Sequence, residues 1–597
     1  MKMLINSLFF ASSCRTRCYS LCLNPFRFSA LSSQPIPHTR NHNCEPLRSR
    51  RYSDSSCLSR SASIKSIMCA SPPYVHVRDH IDLTDKEKQI FDRLLQVLRH
   101  FNLQNELRVA GGWVRDKLLG KECYDIDIAI DGMLGKEFCD KVNEYLSSTG
   151  DEAYKFVEIA SNPDQSKHLE TAKMRIFDVS IDFVNLRSED YSDHSRIPIM
   201  RFGNAKDDAY RRDLTINSLF YNINTSSMED FTERGIADLK AGKIVTPLSP
   251  KKTFLDDPLR VLRAIRFGAR FGFVLDEELK TAAADHDVRD ALSSKISRER
   301  IGREIDLMIS GPQPVMATTY ISELQLFRAV FSLPSVVEPP TPEGCERLSV
   351  AYMDTTWRYL KSVGSSFNDE QRRLCLYAAL FLPFRSAVYT VKKDRDTDKE
   401  SKRVKNPVVS YIFHTSLKLA NSDAETVMRL HVAAEKFLSL IPSLISDGNS
   451  QILEVDKKHL TIDVPVSSKL RVFSGLLLRE IKEFWRAAVV LSLLLHPQDI
   501  GFSKNLSVED TEVKEAINLY DRIENAILEM ELEKVWDLKP LVNGKEIMNI
   551  LQLKKGGPIV GEWQQKLLQW QLAHPSGSAE ECIDWMRQTQ SKRARTE

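Results

Sequence analysis

Leu107-Arg108-Val109-Ala110-Gly111-Gly112-Trp113-Val114-Arg115-Asp116, followed by Asp125-Ile126-Asp127-Ile128, decides how this chain is read. The apolar tetrapeptide reads as a strand and the glycine pair as a tight turn. Val114 to Leu119 reads as a short amphipathic helix stopped by Gly120. Glycine at both turn positions lets backbone N–H groups approach a phosphate, and the helix N-terminus adds a favourable dipole. Arg115 is placed to clamp a phosphate oxygen with two N–H donors. Side chains on a strand alternate between faces, so Asp125 and Asp127 share one face while Ile126 and Ile128 point into a core. Two such carboxylates are hard oxygen ligands suited to Mg²⁺. An ion held there bridges a triphosphate, lowers the pKa of an attacking hydroxyl and stabilises charge on a leaving pyrophosphate. A glycine pair alone is often only a turn, and an Asp-x-Asp pair only a solvated edge. The two together at this spacing point to nucleotidyl transfer.

Further along, Ile176-Phe177-Asp178-Val179-Ser180-Ile181-Asp182-Phe183-Val184 alternates as one strand, with Asp178, Ser180 and Asp182 on a common polar face. That face is either a further metal ligand or an ordinary solvated surface, and the candidate ligands remain Asp125 and Asp127.

Two other segments complete the pattern: Arg211-Arg212-Asp213-Leu214-Thr215-Ile216-Asn217 and Asp256-Asp257-Pro258-Leu259-Arg260-Val261-Leu262-Arg263. In this order the motifs resemble those of class II tRNA nucleotidyltransferases, the CCA-adding enzymes. The likeness runs from about Arg108 to about Ile305, with a looser helical likeness beyond. It implies an α+β fold: a mixed α/β nucleotidyltransferase domain with a polymerase-β-like palm, then all-α neck, body and tail domains. It implies CTP and ATP as substrates, Mg²⁺ as cofactor, tRNA as the partner gripped at acceptor stem and elbow, and no obligatory protein partner. Gly112 and Arg115 match triphosphate contacts, Asp125 and Asp127 the metal ligands, and Arg212, beside Asp213, a nucleotide contact. Asp257, Arg260, Arg263 and Arg266 match the helix that reads the base and holds its phosphates. Asp230 to Leu239 resembles the flexible motif preceding that helix, and Asp256 departs from the Glu that many members carry. Bacterial-type poly(A) polymerases share most of these motifs and form the alternative within the superfamily. A catalytically inert RNA-binding protein is the alternative from another class.

The chemistry of the last segment fits its implied role. A carboxylate accepts from the exocyclic amino group shared by C and A, and a guanidinium donates to the neighbouring ring nitrogen. Uracil and guanine present a carbonyl and a ring N–H there, the reverse pattern. The plainer reading makes Asp257 a helix N-cap with Pro258 at the first helical position, but capping does not account for arginines at 260, 263 and 266.

The chain has 597 residues, 42% of them hydrophobic, and a net charge of only +2. Residues 1–67 carry ten Lys/Arg against two acids, so the remainder is mildly acidic and must meet RNA through local basic patches. That Arg- and Ser-rich, acid-poor leader reads as an organellar transit peptide for mitochondrion or chloroplast. Met68 reads as an internal start for a cytoplasmic and nuclear form, to which Lys592-Arg593-Ala594-Arg595 could contribute. Expected boundaries are a transit peptide at 1–67, a catalytic head at 75–246, a neck at 247–320, a body at 321–450 and a tRNA-binding tail at 451–597. Thr84-Asp85-Lys86-Glu87 reads as a capping box opening a helix through His100. Lys392 to Lys405 reads as a charged loop, and the widely spaced cysteines beyond residue 69 as reduced thiols. No apolar run reaches membrane-spanning length.

Overall fold

The computed structural model describes residues 75–159, 171–191, 198–393, 402–446, 460–495 and 510–593. The leader, Met68 and Arg595 lie outside the described residues. Thr84 caps α1 (Asp85–His100): its side chain accepts from the Glu87 N–H while Glu87 reaches back to the Thr84 N–H. Glu87 also accepts from the Trp113 indole N–H at 2.9 Å and the Lys117 ammonium at 2.7 Å. Burial would raise its pKa, but these donors hold the carboxyl below the ordinary glutamate value. The capping box therefore anchors the helix that follows the glycine turn.

β1 (Leu107–Ala110), α2 (Gly112–Leu118) and β2 (Ile126–Ile130) form as the sequence reads. After them come α3 (Gly135–Thr149), β3 (Phe156–Ile159), β4 (Thr171–Ile176), β5 (Val179–Asn185), β6 (Arg187–Asp190), β7 (Ile199–Phe202), α4 (Ala205–Tyr210), β8 (Phe220–Asn222) and β9 (Ser227–Glu229). Seven strands make one sheet in the order β3-β4-β5-β2-β1-β8-β9. Its parallel pairing, β2 with β5, sets Asp127 directly opposite Asp182. On one face Ile126, Ile128, Ile130, Ile181 and Phe183 join Phe138, Val142 and Leu146 of α3 in the main core. On the other face Ala110, Ala129 and Phe220 pack under Ala205 and Ala209 of α4. By strand alternation this second face carries Asp127 and Asp182.

Two expectations fail here. The segment 176–184 is not one strand: Phe177 and Asp178 turn between β4 and β5 with φ of 47° and 67°, the positive angles of a two-residue hairpin turn. Asp178 is thereby removed from the face that Asp182 occupies. The charged run 392–405 is not simply a loop, because Val388–Lys393 and Lys402–Pro407 pair antiparallel. Alternating Tyr389, Val391 and Val404 among the lysines give that run a strand character that a charge count conceals.

After β9 the chain turns helical, through α5 (Gly235–Lys240), α6 (Pro250–Asp256), α7 (Leu259–Phe271), α8 (Glu277–Ala283), α9 (His286–Lys295) and α10 (Arg298–Ile309). Longer helices follow at Cys345–Val363, Asn421–Leu444, Val466–Ile481, Asp510–Glu529 and Pro558–Ala573. The fold is therefore α+β, a mixed sheet domain leading into a helical remainder. α7 buries Val261, Leu262 and Ile265 in the main core, and its Arg260 and Arg263 face β6 and the Arg211–Asp213 segment. Cys123, Cys139, Cys345, Cys375 and Cys582 are free thiols. No described helix is long and apolar enough to cross a membrane.

Candidate active site

Asp125 precedes β2 and Asp127 lies within it. The structure brings both together with Asp182 of β5, each offering a carboxylate oxygen within 4.8 Å of the others. Asp182 is the residue that sequence reading left aside; its alternation signal was present, but only the parallel β2–β5 pairing puts it beside Asp127. Burial pushes the Asp127 carboxyl up to about 6, helped by the charges of Asp125 and Asp182 and opposed by Arg212. Lys173, opposite Asp182 on β4, lies 2.9 Å from its Oδ1. Among the described residues Oδ1 accepts no hydrogen bond, its partner being the Lys173 charge, while Lys173 donates to Oδ2 at 3.2 Å. A partly buried trio of hard oxygen donors, one carboxyl of which is held up in pKa by its neighbours, fits a divalent cation.

The turn before α2 is fixed by Gly111, whose φ of 71° and ψ of −114° favour glycine. A side chain at that position would also meet Arg212 Nη1 at 2.7 Å. Arg115 lies beneath this turn, buried, with Nε donating to Asp116 Oδ1 at 2.8 Å and Nη1 donating to Asn217 Oδ1. Its guanidinium sits 5.0 and 4.8 Å from the ring centres of Phe267 and Phe271 on α7. Arg212 donates from Nε and Nη2 to Asp208 at 3.0 and 2.7 Å, and from Nη1 to the Asn217 carbonyl at 3.3 Å.

Asp213 joins the two halves. Its Oδ1 accepts from the Leu214 N–H at 2.9 Å and from Asn217 Nδ2 at 3.0 Å, while Oδ2 accepts from Arg263 Nε at 2.7 Å. Burial works against the charge, yet Arg263 and Asn217 outweigh it and hold the carboxyl well below the usual range. Arg270 Nη2 reaches Asp116 Oδ2 at 3.3 Å. A closed circuit therefore runs from Asp116 through Arg115, Asn217, Asp213 and Arg263 to α7, returning through Arg270.

Asp257 sits in extended conformation between α6 and α7. Its Oδ1 accepts from the Leu259 N–H at 3.3 Å and its carbonyl from the Arg260 N–H at 2.9 Å, so it supports the first turn of α7 from one residue outside it; the N-cap position that the plainer reading gave to Asp257 is held by Pro258, because Asp257 closes α6. Arg260 does not point its donors back along the helix: Nη2 donates to the Arg211 carbonyl at 2.6 Å and lies 3.7 Å from Glu189 Oε2. Arg266 pairs with Glu304 of α10 at 2.6 Å. Arg263 of α7, half-buried, is tied to the circuit through Asp213.

Residues 107–245 match the family model for the poly A polymerase head domain. The chain is 34% identical over 530 residues to the mitochondrial CCA tRNA nucleotidyltransferase of Candida glabrata, spanning 85% of this chain and 96% of that protein. It is likewise 34% identical over 507 residues to the Saccharomyces cerevisiae enzyme of the same name, spanning 80% and 87%. The chain belongs to the CCA tRNA nucleotidyltransferase family. Solved structures agree on the fold: the Bacillus stearothermophilus CCA-adding enzyme in complex with CTP superposes with a TM-score of 0.55 at 18% identity, covering 86% of this chain and all of that one. The Thermotoga maritima CCA-adding enzyme complexed with tRNA gives 0.51 at 19%, covering 84% and 95%. Beyond Asp182, sequence reading of this CCA tRNA nucleotidyltransferase family member gave no role to Asp116 and Asn217. Their pairing is with residues distant in sequence or on another element, which leaves no local periodicity to find.

Proposed function

We propose that this chain adds C, C and A to tRNA 3′ ends from CTP and ATP, choosing each base with protein side chains and no nucleic-acid template. The observation that carries the reading is the Asp125–Asp127–Asp182 cluster beside Arg212, in a chain covering nearly the whole of a CCA tRNA nucleotidyltransferase. Asp125 and Asp127 are assigned as ligands of Mg²⁺, with Asp182 as a third. Bound there, the ion would neutralise triphosphate charge and make the terminal ribose 3′-hydroxyl easier to deprotonate.

The chain's own groups do the rest. Gly111 and Gly112 keep side chains off the phosphate approach, and Arg212 borders the acidic cluster. Arg115, Arg263 and Arg266 are assigned to the triphosphate. Arg115 and Arg266 are occupied by Asp116, Asn217 and Glu304 here, so contact with a nucleotide requires them to exchange a protein acceptor for a phosphate oxygen. Asp257 is assigned as acceptor for the amino group of C or A, and Arg260 as donor to the adjacent ring nitrogen. In-line attack on the α-phosphate then joins the tRNA oxygen to phosphorus as the pyrophosphate oxygen leaves.

We assign residues 75–246 as catalytic head, 247–320 as neck, 321–450 as body and 451–597 as a tail that grips tRNA. The tRNA complex of the Thermotoga maritima enzyme, whose fold this chain shares, supports tRNA as the partner. The mitochondrial names of the two yeast relatives support import of the long form into mitochondria. The leader composition extends that proposal to chloroplasts, and Met68 to a cytoplasmic and nuclear form. The test is product analysis on tRNA lacking its terminus, with CTP and ATP supplied singly and together. Addition of CC from CTP alone and of CCA from both is expected. Long A tails without CTP would instead establish a poly(A) polymerase, and no incorporation an inert RNA-binding protein.

A further inference from the structure

We infer that Lys173 of β4 is a positioning residue for the acidic trio: in the free protein its ammonium takes a cation's place on Asp182 and keeps the three carboxylates together, and it yields that place when a divalent cation binds. The inference rests on the metal-binding role proposed above. Lys173 Nζ lies 2.9 Å from Asp182 Oδ1 and donates to Oδ2 at 3.2 Å, so it straddles both oxygens of one carboxylate. The hydrogen bond and charge of Asp182 raise the Lys173 pKa, and the charges of Asp125 and Asp127 add to the effect. One ammonium therefore answers to all three acids.

The register of the sheet fixes this placement. Lys173 pairs with Asp182 across β4 and β5, and Asp182 with Asp127 across β5 and β2, so the three residues stand in one row. Outward the row ends at Val157 of the edge strand β3, which is exposed. Arg212, another cation that favours the ionised form of Asp127, is committed to Asp208 and to the Asn217 carbonyl. Lys173 is differently placed: among the described residues its acceptor is Asp182 itself, and 46% of its side chain is exposed. It is the cation at this site with room to leave.

A cross-strand ion pair on a sheet surface ordinarily contributes little. This pair differs because its acid also faces two others, each with an oxygen within 4.8 Å. Like charges that close repel one another. The ammonium reduces that repulsion in the free protein, and for the same reason it competes with a divalent cation for the oxygens of Asp182. Lysine suits an exchange of this kind, being a compact charge on a flexible stem; the planar fork of arginine would grip both oxygens at once and leave less readily.

The experiment uses the full chain, free of nucleotide and tRNA, as wild type and as Lys173→Met, Lys173→Arg and Asp127→Ala. Arg175→Met, two residues along β4 at an arginine paired with Asp178, controls for charge at a distance. Mn²⁺ binding is measured by calorimetry, and thermal unfolding is followed with and without Mn²⁺. Lys173→Met should bind Mn²⁺ roughly tenfold more tightly than wild type, as expected when a unit charge a few ångströms from the ion is removed, whereas Arg175→Met should stay within about threefold. Lys173→Met should melt below wild type without metal and match it at saturating Mn²⁺; Lys173→Arg should bind no more tightly than wild type. Wild-type or weaker affinity in Lys173→Met, or a loss of melting temperature that saturating Mn²⁺ does not restore, overturns the inference and leaves Lys173 an ordinary cross-strand partner. Asp127→Ala should abolish binding. If it does while Lys173→Met binds as wild type does, only the role of Lys173 fails; if Asp127→Ala binds Mn²⁺ as wild type does, the metal assignment itself fails.

Discussion

Around the acidic face of the sheet, Arg115, Asp116, Asp208, Asp213 and Asn217 are buried and bonded to one another or to α7. In the helical region, Tyr359 and Tyr520 bury an O–H, and Trp485 buries an N–H, that find no hydrogen-bond partner among the described residues. The first region buries charges and satisfies them; the second buries large aromatic surfaces and tolerates a lost hydrogen bond as the cost of packing. The contrast teaches how to read an orphaned atom. In an apolar helical core it reflects burial alone, whereas Asp182 Oδ1 faces the Lys173 ammonium and two further carboxylates, where a cation would bind.

The largest difference should come from the acidic cluster. Asp127→Ala is expected to lower CMP and AMP transfer together by a thousandfold or more, roughly the several kcal/mol that a bound metal contributes to such a transition state. tRNA affinity measured by gel shift or anisotropy should be unchanged, since these oxygens serve chemistry and not docking. Loss of CMP addition alone would break the assignment.

The circuit through Asp213 should show next. Asp213→Ala strands Arg263 and Asn217 in a buried setting, and unfolding by urea should reveal a loss of about 3 kcal/mol. A loss below 1 kcal/mol, about that of an exposed pair, would mean that the circuit is ornamental to stability and would erase the difference between the two regions.

The Asp127 shift gives a pH-dependent effect with a definite sign. Its carboxyl is raised to about 6 without metal, above the unfolded value. Protonated Asp127 therefore adds stability that is full below the ordinary aspartate range and is lost as pH rises through about 6. Mg²⁺ requires the ionised form, so its affinity should weaken about tenfold per pH unit below about 6 through one-proton competition. Thermal unfolding with and without Mg²⁺ should give a clear upward shift at pH 7.5 that is much reduced at pH 5. Equal shifts at both values would remove Asp127 from the site.

The smallest effect belongs to the helical region. Tyr359→Phe should leave stability within about 0.5 kcal/mol of wild type or slightly above it, because an unpaired buried hydroxyl is removed and the ring is kept. A loss of more than 1 kcal/mol in chemical denaturation would show that the hydroxyl is bonded after all.

The same contrast explains what could be read in advance. The strand, turn and helix at 107–120, the aspartate pair and the capping box at Thr84 are local patterns, and each reappears within a residue or two of its expected limits. Asp182 required a pairing between strands separated by more than fifty residues. The Asp116–Arg270 and Asp213–Arg263 links join the sheet domain to a helix read separately from it. The turn at Phe177-Asp178 was hidden because neither residue is glycine, the usual sign of positive φ.

Selection of the base by the protein itself is the central claim, and Asp257 carries it, although the structure also gives Asp257 the job of supporting the first turn of α7. Asp257→Asn separates the two jobs. Asparagine caps a helix about as well as aspartate, so α7 should stay in place and the melting temperature should hold. Its amide can put an N–H₂ where Oδ2 was, exchanging an acceptor for a donor. Four-nucleotide incorporation on tRNA is the measurement. The account predicts that UMP and GMP addition rises at least tenfold relative to CMP and AMP, the gain from no longer stranding a buried polar group against the wrong base. A stable variant with its preference for C and A intact would reduce Asp257 to a support for that turn and contradict the account.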